Sequence, residues 1–522
     1  MHKSKLCVLA LILAAAVLLG GCMAEDGAVS YEKMQYERPD MTALQQALDA
    51  ACEAAAGEDP DAILGAVYRF YDAYDWFYTC ATLADLHYCA DLTDFYWQQE
   101  SDYCAQHSAE VDAALETLNY SLAQSPCREA LEAEFFGVGF FDGYDGENLW
   151  EGELMQLLSQ EAQLQNQYYA LSEEALEYDP GTEEYYDACA DGMAQLLVDL
   201  IELRQEIADC SGYRDYAQFA YDFYYYRDYT PRQAEAYLEQ IRQALVPLYR
   251  ETVTEDVWNP SYVSCSEKQA LDYVRKTAKN LGGTMEAAFQ LMERAGLYDI
   301  AYGPNKYNAS FEVYLTSYCE PFVFLNPTLT ACDKLSLVHE FGHFCNDYAS
   351  YGSYAGVDVS EFFSQGMEYL SLCYGDGTLA QVKIADSLSI YVEQAAYASF
   401  EHQMYRLTGE DLTVEALYSL YEETVASYGL DNVEYDRREF VDITHFYTNP
   451  MYIISYVVSN DAAMQLYQLE QSSNGAGKAL YEENLATEEW YFLEFLDSAG
   501  LESPFVPGRI QEVKATFEAL LR

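Results

Sequence analysis

Val338-His339-Glu340-Phe341-Gly342-His343 holds two of the chain's seven histidines, four residues apart, with a glutamate directly after the first. On an α-helix, residues i and i+4 share a face, so both imidazoles can reach one metal ion. This is the His-Glu-x-x-His pattern of a hydrolytic zinc site: His339 and His343 are ligands, and Glu340 is placed as general base. The flanks are apolar, through Leu335, Leu337, Val338, Phe341 and Phe344. A helix apolar on most sides is a buried one, unlike a surface helix carrying two unrelated histidines. Polar groups inside it need partners, and a metal supplies one.

Such a site needs a third protein ligand and an open position. After a loop rich in Gly, Tyr and Ser comes Val359-Ser360-Glu361-Phe362-Phe363-Ser364-Gln365-Gly366-Met367-Glu368-Tyr369-Leu370. The spacing predicts a second helix with Ser360 as its N-cap. Glu361, Ser364 and Glu368 fall along one face. Acidic residues on an apolar helix ordinarily mark its solvated side. The position directly after the His-Glu-x-x-His helix makes Glu361 the third ligand instead. Glu368, two turns on, is the carboxylate that orients a ligand histidine. One Zn2+ per chain is expected.

With these residues the chain resembles the thimet oligopeptidase and oligoendopeptidase F family of zinc metallopeptidases. That family carries His-Glu-x-Gly-His, then a glutamate in a Glu-x-x-Ser-x-x-x-Glu context, matched by Glu361, Ser364, Gln365 and Glu368. Pro321-Phe322-Val323-Phe324-Leu325-Asn326 resembles its strand before the metal helix. Asp333 to His339 resembles its approach, with Ser336 in place of Thr. His445-Phe446-Tyr447-Thr448-Asn449-Pro450-Met451-Tyr452-Ile453-Ile454-Ser455-Tyr456 resembles its C-terminal block. Leu203-Arg204-Gln205-Glu206-Ile207-Ala208, running on to Tyr229-Thr230-Pro231, is a weaker match. The resemblance covers roughly residues 195 to 522. Met451 and Ile453 replace aromatics and Ser455 replaces an acid, which bears on the roles of the nearby tyrosines.

The resemblance implies a mainly α fold: two helical subdomains around a deep channel, with a small β-sheet beside the zinc-binding helix pair. It implies hydrolysis of short unstructured peptides, with Glu340 moving the proton. His445, Tyr452 and Tyr456 become candidates to stabilise the oxyanion. Tyr452 and Tyr456 share a helix face by spacing, although core packing is the ordinary role of any one of 50 tyrosines. The family has an edge strand that pairs with substrate backbone. Phe322 to Leu325 is either that strand or a plain core strand.

The first 21 residues are read as a signal peptide: a basic start at His2, Lys3 and Lys5, then an apolar run from Leu6 to Leu19. That run is short for a membrane span. Leu19-Gly20-Gly21-Cys22 resembles a bacterial lipoprotein signal, with Cys22 lipidated; ordinary cleavage beside a chance cysteine is the alternative. Residues 22–40 read as a tether, 41–200 as an N-terminal helical domain and 201–522 as the catalytic domain. The implied location is the outer face of a bacterial membrane. Without Cys7 and Cys22, 12 of the 14 cysteines remain; in an oxidising compartment some would pair, and the alternative is free thiols in an anaerobe's environment. Cys319, Cys332, Cys345 and Cys373 are candidates to staple the site.

The formal charge is −60. Such a surface excludes nucleic acid as a partner and disfavours anionic lipid beyond the anchor itself. Helical periodicity runs from Thr42 to about Ala56, Leu154 to Leu171, Glu183 to Cys210 and Pro231 to Tyr249. Strand-like runs cluster between Ala309 and Leu325. The aromatic clusters Tyr68 to Tyr78 and Tyr221 to Tyr229 read as helix interfaces. The reading is a surface-anchored zinc metalloendopeptidase of short peptides. Its rivals are a catalytically inactive peptide-binding surface lipoprotein and a structural surface protein with an incidental metal.

Overall fold

The computed structural model describes residues 28–144, 153–175, 178–352, 355–431, 435–487 and 489–521. The signal segment and Cys22 lie outside the described residues. Residues 28–40, within the expected tether, are packed: the Tyr31 ring sits 4.3 Å from that of Phe322, and Arg38 pairs with Glu100.

Three helices open the described chain: Met41–Ala55, Pro60–Ala90 and Phe95–Ala123. Their starts follow from local chemistry. Asp40 and Asp94 each accept two backbone N–H groups of the first turn, and Pro60 occupies the first helical position, where its missing N–H costs nothing. Their apolar faces, together with apolar residues from Cys127 to Tyr144, form one buried cluster. A larger cluster takes in Met34, Leu83 and Leu86 and then runs from Leu154 to Phe517, so helix Pro60–Ala90 contributes to both. The helix over Glu183–Cys210 has the expected bounds, and the preceding one runs longer than the periodicity suggests, Glu153–Ala175. The helix expected from Pro231 to Tyr249 is two, Pro231–Ala244 and Val246–Thr252. Pro247 has no N–H to continue the first. Only part of the Tyr221 to Tyr229 cluster is helical, since that helix ends at Phe223. Its rings surround a cation instead: the Arg227 guanidinium lies 4.3 Å from the Tyr221 ring centre and 4.4 Å from that of Tyr225.

The sheet has three strands: β1 (Tyr298–Asp299), β2 (Ser310–Leu315) and β3 (Glu320–Leu325), in the order β1-β3-β2. β3 is parallel to β1, antiparallel to β2, and buried throughout. Phe322 to Leu325 is therefore central, and β1 and β2 are the edges. Helix Asp333–Ser350 packs on β2 and β3 and against helix Val357–Tyr374. Gly342 permits this contact: a Cβ there would lie 2.6 Å from Phe363 O and Ser364 Cα. Helix Val357–Tyr374 packs in turn on Ile454–Ser472. The architecture is mainly α with a small sheet beside the helix pair. All twelve described cysteines, from Cys52 to Cys373, are free thiols, so the expected pairing is not found among them. No helix of the described residues is long and apolar enough to cross a membrane.

Candidate active site

Helix Asp333–Ser350 presents His339 and His343 side by side, their ring centres 5.1 Å apart. The neighbouring helix brings Glu361 Oε2 to 3.6 Å from His339 Nε2 and 3.9 Å from His343 Nε2. Three donors held tetrahedrally about 2.1 Å from one ion would be about 3.4 Å apart. The spacing needs little adjustment to hold zinc. Donor atoms of His339, Glu340 and His343 also lie within 4.8 Å of one another. Glu340 thus stands beside the prospective ion, and the geometry of Glu361 fits the ligand role better.

Each imidazole is oriented from behind. Glu368 Oε1 lies 2.9 Å from His339 Nδ1, and Ser360 Oγ lies 3.0 Å from His343 Nδ1. With the Nδ1 atoms engaged, both Nε2 atoms face Glu361. Ser360 is not the helix cap: the helix begins at Val357 after Gly356, which turns the Ser360 hydroxyl inward. Ser364 Oγ donates to Glu361 Oε2 at 2.9 Å, and Tyr452 OH donates to Glu361 Oε1 at the same distance.

Electrostatics separates the two imidazoles. Burial opposes charge on both. At His339 the hydrogen bond it donates to Glu368 and the carboxylates of Glu340, Glu368 and Glu361 outweigh it, lifting the pKa to about 9. At His343 burial prevails and the value falls to about 4, so this imidazole is a neutral donor. Burial pushes Glu340 up to about 7, against the opposing pull of His339 and a hydrogen bond from Ser310 at the start of β2.

His445, Tyr452 and Tyr456 converge on the same place. Their ring centres are 5.2 to 5.7 Å apart, and His445 Nε2 lies 3.2 Å from Tyr456 OH. Tyr452 does not share a helix face with Tyr456: it precedes helix Ile454–Ser472, and the chain turns at Met451, whose φ is +67°. Two buried arginines shape this segment. Arg204 donates to Phe446 O at 2.7 Å and to Tyr447 O, and its Nε pairs with Glu161 at 2.7 Å. Arg227 donates to Met451 O at 2.8 Å and to Ser455 Oγ at 2.7 Å. Glu401 accepts the Met451 N–H at 2.6 Å.

Sequence reasoning missed Ser310, Arg227, Glu401 and the true part of Ser360. Arg204 lies in a segment singled out from the sequence, where it carried no role.

Residues 31–143 match the family model of the Peptidase M3 N-terminal domain. No curated protein matches the chain. Among solved structures, PZ peptidase A with an inhibitor has a TM-score of 0.80 at 19% identity, covering 94% of this chain and 98% of that one. A candidate oligoendopeptidase F from Bacillus anthracis has a TM-score of 0.76 at 18% identity, with 95% and 98% covered. The oligoendopeptidase-F of Enterococcus faecium has 0.58 at 15%, with 92% and 96% covered. At these identities the likeness is one of fold, and it spans nearly the whole of each chain.

Proposed function

We propose that this chain is a zinc metalloendopeptidase of the thimet oligopeptidase and oligoendopeptidase F family, hydrolysing internal bonds of short unstructured peptides. The observation that carries this reading is the convergence of His339 Nε2, His343 Nε2 and Glu361 Oε2 beside Glu340. The Peptidase M3 N-terminal domain match and the shared oligoendopeptidase fold support it from outside the site.

His339, His343 and Glu361 would hold the ion. Zinc bound there supplies Lewis acidity toward water and a peptide carbonyl. Glu340 takes the proton from water as oxygen attacks the carbonyl carbon, and returns it to the amine when the C–N bond breaks. Burial suits it to both tasks, because a carboxyl with a pKa near 7 takes and releases a proton with little penalty. Tyr452 OH is committed to the Glu361 carboxylate, so its part is to fix a ligand. Tyr456 and His445 are the donors left for the oxyanion. β2, the longer of the two edge strands and the one that starts at Ser310 beside Glu340, is the strand to which a peptide backbone would add.

The enzyme would act at the outer face of a bacterial membrane, held there through lipidated Cys22. Metabolic labelling with a fatty-acid analogue tests this, since the label should vanish in Cys22→Ala. The function itself is tested by metal analysis with a quenched-peptide assay. About one zinc per chain and chelator-sensitive cleavage are expected. Zinc without turnover would favour the inactive peptide-binding lipoprotein, and turnover unaffected by metal removal would refute the mechanism.

A further inference from the structure

Lys383 is fully buried (0% exposed) on helix Ala380–Ser389, behind the site. A lysine is almost never buried without a partner that repays its lost hydration. Its Nζ lies 2.8 Å from Glu368 Oε2 and 3.1 Å from Asp386 Oδ2, and 5.3 Å from the centre of the Tyr369 ring. The two oxygens of Glu368 are thereby divided: Oε2 is held by Lys383, and Oε1 faces His339 Nδ1 at 2.9 Å. Among the described residues, Lys383 is the only lysine or arginine ion-paired with any of Glu340, Glu361 and Glu368.

We infer that Lys383 is a positioning residue for metal binding: it locks the Glu368 carboxylate in the one rotation that orients His339 toward the ion. The inference rests on the zinc-peptidase reading above. The chain of contacts runs Lys383, Glu368, His339, and crosses three helices. Glu368 is reached from one side by the histidine and from the other by the lysine, so neither helix alone sets its rotation. Asp386, one turn along from Lys383, keeps Nζ in place. Without the lysine the carboxylate is free to turn, and His339 loses the fixed partner that presents Nε2 to the metal. Such supporting contacts are typically worth about 10–100-fold in metal affinity.

The test uses the full protein stripped of metal and titrated with Zn2+ alone against a chromophoric chelator. Lys383→Met should weaken zinc binding by about 10-fold or more. A residue that acts only through Glu368 should add less than about twofold when changed in a Glu368→Gln background. A purely structural lysine would not show this coupling. Circular dichroism confirms folding of each variant. If Lys383→Met does not fold, Lys383→Leu, which likewise offers no donor to Glu368, takes its place with the same expectation. Affinity within twofold of wild type in a folded variant, or losses that simply add in the double variant, would overturn the inference and leave the peptidase reading standing. A wild-type protein that binds no zinc would overturn both.

Discussion

Glu340 and Glu361 sit on adjacent helices, and the proposed mechanism gives them opposite tasks. Glu361 is held at both oxygens, by Ser364 and Tyr452, as a fixed ligand should be. Glu340 is instead pushed up to about 7 by burial, as a proton carrier should be. Glu340→Gln should therefore retain zinc and lose roughly 10²–10⁴-fold in kcat. Metal analysis and peptide turnover on one sample check both halves. The two tyrosines should separate in the same way. Tyr456→Phe removes a donor toward the oxyanion and should lower kcat about 10²-fold with zinc affinity unchanged. Tyr452→Phe removes a donor to a ligand and should weaken zinc by about 10-fold. Equal effects of the two on metal affinity would contradict this division. The sequence signal had placed Tyr452 with Tyr456 on one helix. The left-handed Met451 moves it into the preceding turn, a change that spacing cannot reveal.

Two helices meet where the histidines need Glu361, and Gly342 is what lets them meet. The atoms in the way of a Cβ, Phe363 O and Ser364 Cα, are backbone and cannot swing aside. Gly342→Ala should destabilise the fold by about 1–3 kcal/mol and weaken zinc binding, because the helices must part. A thermal melt and a metal titration measure this. The segment bearing His445 depends on Arg204 in a comparable way. Arg204→Met would leave Phe446 O and Tyr447 O without their donor and the Glu161 carboxylate without its cation. A loss of about 3–5 kcal/mol in denaturant-induced unfolding is expected. At this scale much was legible. The His-Glu-x-x-His helix and its successor declare themselves through an apolar period of 3.6 and the spacing of their polar residues. The cap of the second helix was misplaced, since a serine favours that position locally but Gly356 opens the helix a turn earlier. The order of the sheet was not legible, because the burial of Phe322 to Leu325 says nothing about which strands flank it.

The whole molecule carries 87 acidic residues against 27 basic ones. Repulsion among them opposes compactness and is screened by salt over distances of about 10 Å at 0.1 M. The melting temperature should rise by several degrees between low and moderate ionic strength. A flat or falling profile in differential scanning calorimetry would show that the charges are already compensated. The overall fold could be anticipated only through residues 195 to 522, where motifs are dense. Residues 31–143 offered amphipathic helices and no chemistry, yet it is these that match the Peptidase M3 N-terminal domain. Lys383 was equally silent, since its burial and its place behind His339 exist only once three helices have packed.

The most direct measurement is anomalous diffraction at the zinc edge from crystals of the full chain grown with the metal. The account predicts one strong peak at bonding distance, about 2.0–2.2 Å, from His339 Nε2, His343 Nε2 and a Glu361 oxygen. A peak elsewhere, or none between these three side chains, would contradict it.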